Sequence, residues 1–175
     1  ADVDVAYYMI HSMTDNPEFR DRDIQAARNF SQAAAAAGVS RIIYLGGLGD
    51  PDEELSEHLR SRQETGDALR EGGVPVTEFR AAVFIGSGSI SFEMMRHLTE
   101  RTPVMICPKW VFTRIQPIAI RNVLQYLTDA LTTPASAGEI IEIGGSEVLT
   151  YGEMMKRYAA IRGLKRYLVP VPLLT

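Results

Sequence analysis

One cysteine, Cys107, is the only thiol in 175 residues, so no disulfide forms within the chain. A lone thiol fits a reducing compartment, and its plainest role is that of a small half-buried hydrophobe. Missing too is any apolar run near the ~20 residues needed to span a bilayer. Ala1 to Met13 has no basic start of the kind a secretory signal carries. These absences point to a soluble cytoplasmic protein with no membrane segment. Positive charge is not in excess: 18 Lys and Arg stand against 22 Asp and Glu, for a net charge of -4 and a pI near 5.4. A chain without a basic field is not expected to bind nucleic acid. Three scattered histidines and the one cysteine make no metal-ligand spacing, so no metal is expected.

What is present is an ordinary globular mixture, 46% hydrophobic and 23% charged, enough to bury a core. Val3 to Ile10 (VDVAYYMI) is an apolar, β-branched and aromatic run without clean alternation, as suits a strand covered on both faces. Asn16-Pro17 then reads as N-cap and first turn, with Ile24, Ala27, Phe30, Ala34 and Ala37 at helical spacing until Gly38. Arg41 to Leu45 (RIIYL) is a second strand ending in Gly46-Gly47-Leu48-Gly49-Asp50. A second helix spans Glu54 to Arg70, with Leu55, Leu59, Arg62, Gly66 and Leu69 on one face and Gly72-Gly73 as its stop. Val76 to Phe79 is a third strand.

Strand, helix and strand repeated in this way form βαβ units, whose right-handed crossovers produce a parallel sheet. The fold class is α/β. Further on come a helix near Ser91 to Glu100 and extended pieces at Val104 to Cys107 and Arg114 to Ile118. Then follow a helix from about Ala119 to Leu131 and a strand at Glu139 to Ile143. Thr150 to Glu153 reads as a capping box opening a last helix. Beyond Gly86 the elements shorten and prolines gather (Pro103, Pro108, Pro117, Pro134), which indicates a smaller lobe.

Ligands of an open parallel sheet bind outside the carboxyl ends of its strands. Those ends are Ile10-His11-Ser12-Met13, Gly46-Gly47-Leu48-Gly49, and Arg80-Ala81-Ala82-Val83 with Gly86-Ser87-Gly88. In order and spacing, DVAYYMIHSM, RIIYLGGLG, HLRSRQETGDALR, VPVTEFRAAVFIGSG, TRIQPIAIRNVLQYL and EIIEIGGSEVLTYGEMM resemble the fourth strand onward of an extended or atypical short-chain dehydrogenase/reductase. The NmrA-like, NAD(P)H-binding, epimerase/dehydratase-type group is the most similar.

The resemblance implies a partial Rossmann-like parallel sheet with a small C-terminal substrate lobe. Residues 1–86 would be the second half of the NAD(P)-binding domain and 87–175 the lobe. It implies NAD or NADP as cofactor, held by Ile10, His11, Ser12, Leu45, Gly46, Gly47, Ala81, Ala82 and Val83. A small organic substrate would meet Trp110, Arg114 and Gln116, which serve equally as ordinary lobe core. The phosphate-cradling G-x-x-G-x-x-G turn is not found after the first strand, so the first three strands are expected upstream of Ala1. Without them Val3 to Ile10 becomes a sheet edge, and a homodimer is expected.

The family's Tyr-x-x-x-Lys pair aligns with His58 and Arg62, one helical turn apart on one face. His58 then reads as an acid/base and Arg62 as a holder of ribose or carboxylate. The plainer alternative is a solvated structural pair beside Leu55 and Leu59. His11-Ser12 likewise reads either as a flank of the cofactor or as a loop pair capping the next helix. Gly46-Gly47 replaces the family's serine. Two functions stay open: an NAD(P)-dependent oxidoreductase, or a dinucleotide-binding sensor, regulator or scaffold without turnover.

Overall fold

The computed structural model describes residues 3–11, 17–49 and 56–171. In chain order its elements are β1 (Val5–Tyr8), α1 (Pro17–Ala36), β2 (Arg41–Gly47), α2 (Glu57–Arg70), β3 (Val76–Ala81) and β4 (Val83–Ile85). They continue with α3 (Ile90–Arg101), β5 (Val104–Cys107), β6 (Arg114–Ile115), β7 (Pro117–Ala119) and α4 (Ile120–Asp129). The last are β8 (Ile140–Glu142), β9 (Leu149–Thr150), α5 (Tyr151–Ile161) and β10 (Tyr167–Pro170). The expected N-cap Asn16 and the residues Glu54 and Leu55 lie outside the described residues.

The chain forms two compact units, one of Ala1–Ala81 with Val123–Ile143 and one of Ala82–Asn122 with Gly144–Thr175. In the first, a parallel sheet runs β1-β2-β3-β8, the α/β Rossmann-like arrangement read from the strand and helix order. Register places Tyr8 beside Tyr44, and Tyr44 beside Glu78, on one face. That face carries the core of Tyr8, Ile42, Tyr44 and Val76, with Ala27 and Ala34 of α1 and Ala68 and Leu69 of α2. Ile24 and Phe30 pack on it as their spacing requires, whereas Ala37 lies past the helix end and is exposed. Burying such side chains contributes about 25 cal/mol per Å² of apolar surface.

The glycine stops work as the sequence indicates. Gly38 and Gly73 adopt φ of 75° and 78°, a left-handed conformation that terminates a helix without a Cβ penalty. On the sheet's other face Phe79 meets Tyr126 of α4 at 5.8 Å between ring centroids, and the Tyr7 hydroxyl donates to the Leu127 carbonyl at 2.8 Å.

The second unit is built from three two-stranded ribbons, β4 with β7, β5 with β10 and β6 with β9. The strand at Tyr167–Pro170 is not foreseen by periodicity. Its core is Met95, Met105, Cys107, Val111, Met154 and Met155, so Cys107 is a buried hydrophobe. The capping box is present in full: the Thr150 hydroxyl accepts from the Glu153 N–H at 3.1 Å and the Glu153 carboxylate from the Thr150 N–H at 2.7 Å.

Candidate functional site

In the first unit the carboxyl ends of three parallel strands carry the residues of interest. His11 follows β1, Leu45 to Gly47 close β2, and Arg80 with Ala81 close β3 in register with Gly46 and Gly47. Ser56 caps α2 by accepting from the Leu59 N–H at 3.3 Å, which sets the helix so that its first two turns rise beside this edge. His58 and Arg62 lie on those turns. The rings of His11 and His58 approach to 6.3 Å between centroids in an edge-on arrangement. His11, His58 and Arg62 thus gather beside the strand ends.

The His11 imidazole is held below its ordinary pKa of 6.5 by partial desolvation first, then by the charges of Arg62 and His58, with Asp23 opposing. Arg62 has one guanidinium N–H directed at the Leu45 carbonyl, while its Nε is buried without a partner among the described residues. Its guanidinium carbon lies 6.0 Å from the centre of the Tyr44 ring. The Tyr44 hydroxyl donates to the Arg62 carbonyl at 2.9 Å, and burial pushes this phenol up to about 12. Helix α2 is therefore tied to the end of β2 by Arg62 at both its ends, backbone and guanidinium.

Gly46 and Gly47 are closely approached by protein side chains. A Cβ on Gly47 would stand 2.7 Å from Leu59 Cδ2 and 3.3 Å from Arg62 Cδ, and one on Gly46 would stand 2.7 Å from Glu78 Oε1. Their small size is accounted for by these neighbours before any ligand is considered.

Beneath Gly46 lies a group that sequence reasoning missed. Glu78 is fully buried in the middle of β3 and accepts from Arg70 at 2.5 Å and from Arg80 at 2.7 Å. A buried carboxylate is tolerated when its lone pairs are met by paired cations in this manner. A signal was available: a charge inside the apolar run VPVTEF, with Arg80 two residues on and so on the same face. Arg80 is consequently a structural partner of Glu78.

Of the remaining expected positions, Ile10 is exposed at the end of β1, and Ser12 lies outside the described residues. Ala81 is buried, and its carbonyl accepts from the Leu48 N–H at 3.0 Å. In the second unit, Ala82 precedes β4, and Val83 pairs with Pro117. Trp110 is half exposed and stacks edge-on to Tyr151 at 5.6 Å, and Arg114 is exposed at the start of β6. Gln116 donates to the Gly145 carbonyl at 2.6 Å, and a Cβ on Gly144 would stand 2.6 Å from its amide carbon, so its amide is engaged by the backbone.

No family model matches the chain, and no curated protein matches it. Solved structures do. A short-chain dehydrogenase/reductase superfamily protein from Agrobacterium tumefaciens with bound NAD is 17% identical, with a TM-score of 0.75 over 97% of this chain and 69% of that one. UDP-glucuronic acid 4-epimerase from Bacillus cereus in complex with NAD is 14% identical, with a TM-score of 0.79 over 98% of this chain and 63% of that one. The dTDP-4-dehydrorhamnose reductase from Bacillus anthracis, in complex with NADP, is 13% identical, with a TM-score of 0.78 over 97% and 66%. At these identities the likeness is one of fold. The chain spans 63 to 69% of the length of these three structures.

Proposed function

We propose that this chain supplies the nicotinamide side of an NAD(P)-dependent oxidoreductase-like protein of the atypical short-chain dehydrogenase/reductase class, acting on a small organic substrate. The reading is supported above all by the cluster of His11, His58 and Arg62 at the carboxyl edge of a parallel sheet, where ligands of such sheets bind. The fold is also that of proteins crystallised with NAD or NADP. Gly46 and Gly47 suit this role because neither raises a side chain between the end of β2 and a ring laid across it. NAD(P), when bound, supplies the hydride.

His58 is exposed on the first turn of α2 and is the acid/base that exchanges a proton with a substrate oxygen. Arg62 keeps α2 against β2, and its charge favours an oxyanion nearby. On this reading Ile10, His11, Ser12, Leu45, Ala81, Ala82 and Val83 are assigned to the cofactor, and Trp110, Arg114 and Gln116 to the substrate. The decisive assay is hydride transfer from NADH and NADPH to a panel of small carbonyl compounds and nucleotide sugars, using the natural protein that carries this chain. Turnover that falls on His58→Ala by roughly 100-fold or more fits a lost proton carrier.

One observation favours a second reading, that of an NmrA-like sensor or scaffold that binds the dinucleotide without turnover. The Arg62 guanidinium is directed at the Leu45 backbone carbonyl. Cofactor binding with no turnover on any substrate, unchanged in His58→Ala, would establish this reading in place of the first.

A further inference from the structure

Charge is divided unequally between the two units. The unit of residues 82–122 and 144–175 holds ten Lys and Arg against four Asp and Glu, a net of +6, whereas the other holds eight against eighteen, a net of -10. Within the basic unit, residues 101–122 and 154–175 contain no acidic residue and nine cations. The pairing of β5 with β10 brings these two acid-free stretches side by side.

The strand pair has an apolar outer face. Met105 and Cys107 point into the core, so alternation turns Val104 and Ile106 outward, and they are 54% and 68% exposed. Register sets Tyr167 beside Val104 and Val169 beside Ile106, at 65% and 44% exposed. Four large apolar side chains therefore share one open surface. Because the strands are parallel, their amino ends meet at one edge, where Arg101 and Lys165 lie, both exposed. Lys109 lies past the other edge, beside a shallow hollow of about 180 Å³ lined with Phe112, Pro170 and Val171. Arg166 is not among the free cations, since it donates to the Thr99 and Glu100 carbonyls at the end of α3.

We infer that this β5–β10 face docks on an anionic lipid surface, with Val104, Ile106, Tyr167 and Val169 entering the headgroup boundary and Arg101, Lys109 and Lys165 meeting lipid phosphates. An apolar strip with cations at both ends is the pattern that binds anionic bilayers peripherally, and it is compatible with the absence of a membrane-crossing helix among the described residues. A second copy fits less well, because a self-complementary contact would bring each face's cations against their own equivalents. A small molecule fits less well too, since such sites are concave and this surface is the open side of a ribbon. The inference stands apart from the dinucleotide reading and involves none of its residues.

Cosedimentation of the chain with vesicles tests it. Vesicles of phosphatidylcholine and phosphatidylglycerol in about a 3:1 ratio should retain the protein at least tenfold better than phosphatidylcholine alone, and salt should weaken the retention. With about fivefold per surface cation, Arg101→Glu combined with Lys165→Glu should lose roughly 25-fold. Ile106→Ser combined with Val169→Ser should lose binding while keeping the parental melting temperature, because both side chains are exposed. Equal retention on both vesicle types, no retention, or full retention by both double variants overturns the inference. So does a dimer that Ile106→Ser with Val169→Ser disperses, or binding of soluble polyglutamate with no vesicle binding, which would assign the face to a second copy or to an acidic protein.

Discussion

Glu78 shows how much of the site's rigidity rests on one side chain. Its two oxygens are divided between Arg70 of α2 and Arg80 of its own strand, and Gly46 and Gly66 approach it from either side. Removing the carboxylate leaves two cations facing each other at a buried position, so Glu78→Ala should lower stability by about 3 kcal/mol in urea unfolding. Gly66 gives a sharper check. Gly to Ala within a helix ordinarily stabilises by up to about 1 kcal/mol, yet here the new Cβ would stand 2.5 Å from Glu78 Oε2. Gly66→Ala should therefore destabilise the parent and stabilise the Glu78→Ala variant, a reversal of sign that a double-mutant cycle reads directly. An additive result would show that Gly66 is not kept small by Glu78. At the strand edge, His11 should titrate below 6.5 by proton NMR, and His58→Ala should move it back up, since His58 is one of the charges that depress it. The linkage follows in sign: the unfolded chain takes up the His11 proton first as pH falls through about 6.5, so the folded state loses ground over that interval and down to the folded pKa. His11→Asn should match the parent's melting temperature near pH 8 and exceed it near pH 5; a higher melting temperature at both values, or at neither, would remove His11 from the account.

Helix and strand identity was legible wherever pattern and punctuation agreed. Gly38 and Gly73 end their helices as expected, Ala27 and Ala34 enter the core from the predicted face, and both bonds of the Thr150 and Glu153 box are made. The box is the cleanest local test: Thr150→Ala should cost about 1 kcal/mol, and Thr150→Ser should restore most of it. What stayed hidden has a physical reason. β10 pairs with β5 over sixty residues away in sequence, and a four-residue strand containing a proline carries no period of its own. Glu78 was hidden because an apolar run with one acid reads as a strand with one outward position, and the two arginines that make burial tolerable come from different elements. Gly46 and Gly47 are cofactor positions by resemblance alone, and the structure adds what a side chain there would meet, namely Glu78, Leu59 and Arg62. The pairing of His11 with His58, about fifty positions apart, needed the parallel register of β1 and β2.

For the molecule as a whole, the sheet has an open side with a definite chemistry. β1 pairs only with β2 among the described residues, and the Asp4 carbonyl accepts from the Ser40 N–H at 2.9 Å, which fixes which groups face inward. Alternation then turns the N–H and C=O of Val5 and Tyr7 away from β2, beside the exposed side chains of Val3, Tyr7 and Met9. An edge with free backbone groups and apolar side chains is a template for another strand. The 175-residue chain should accordingly self-associate with rising concentration in light scattering. Val5→Pro removes an outward donor that plays no part in the β1–β2 ladder, so it should return the chain to a monomer with its circular dichroism unchanged. Ile106→Ser with Val169→Ser, on the β5–β10 face, should leave the same association intact, which separates the two surfaces. A chain that stays monomeric at every concentration, or a dimer indifferent to Val5→Pro, would show that the β1 edge is not used.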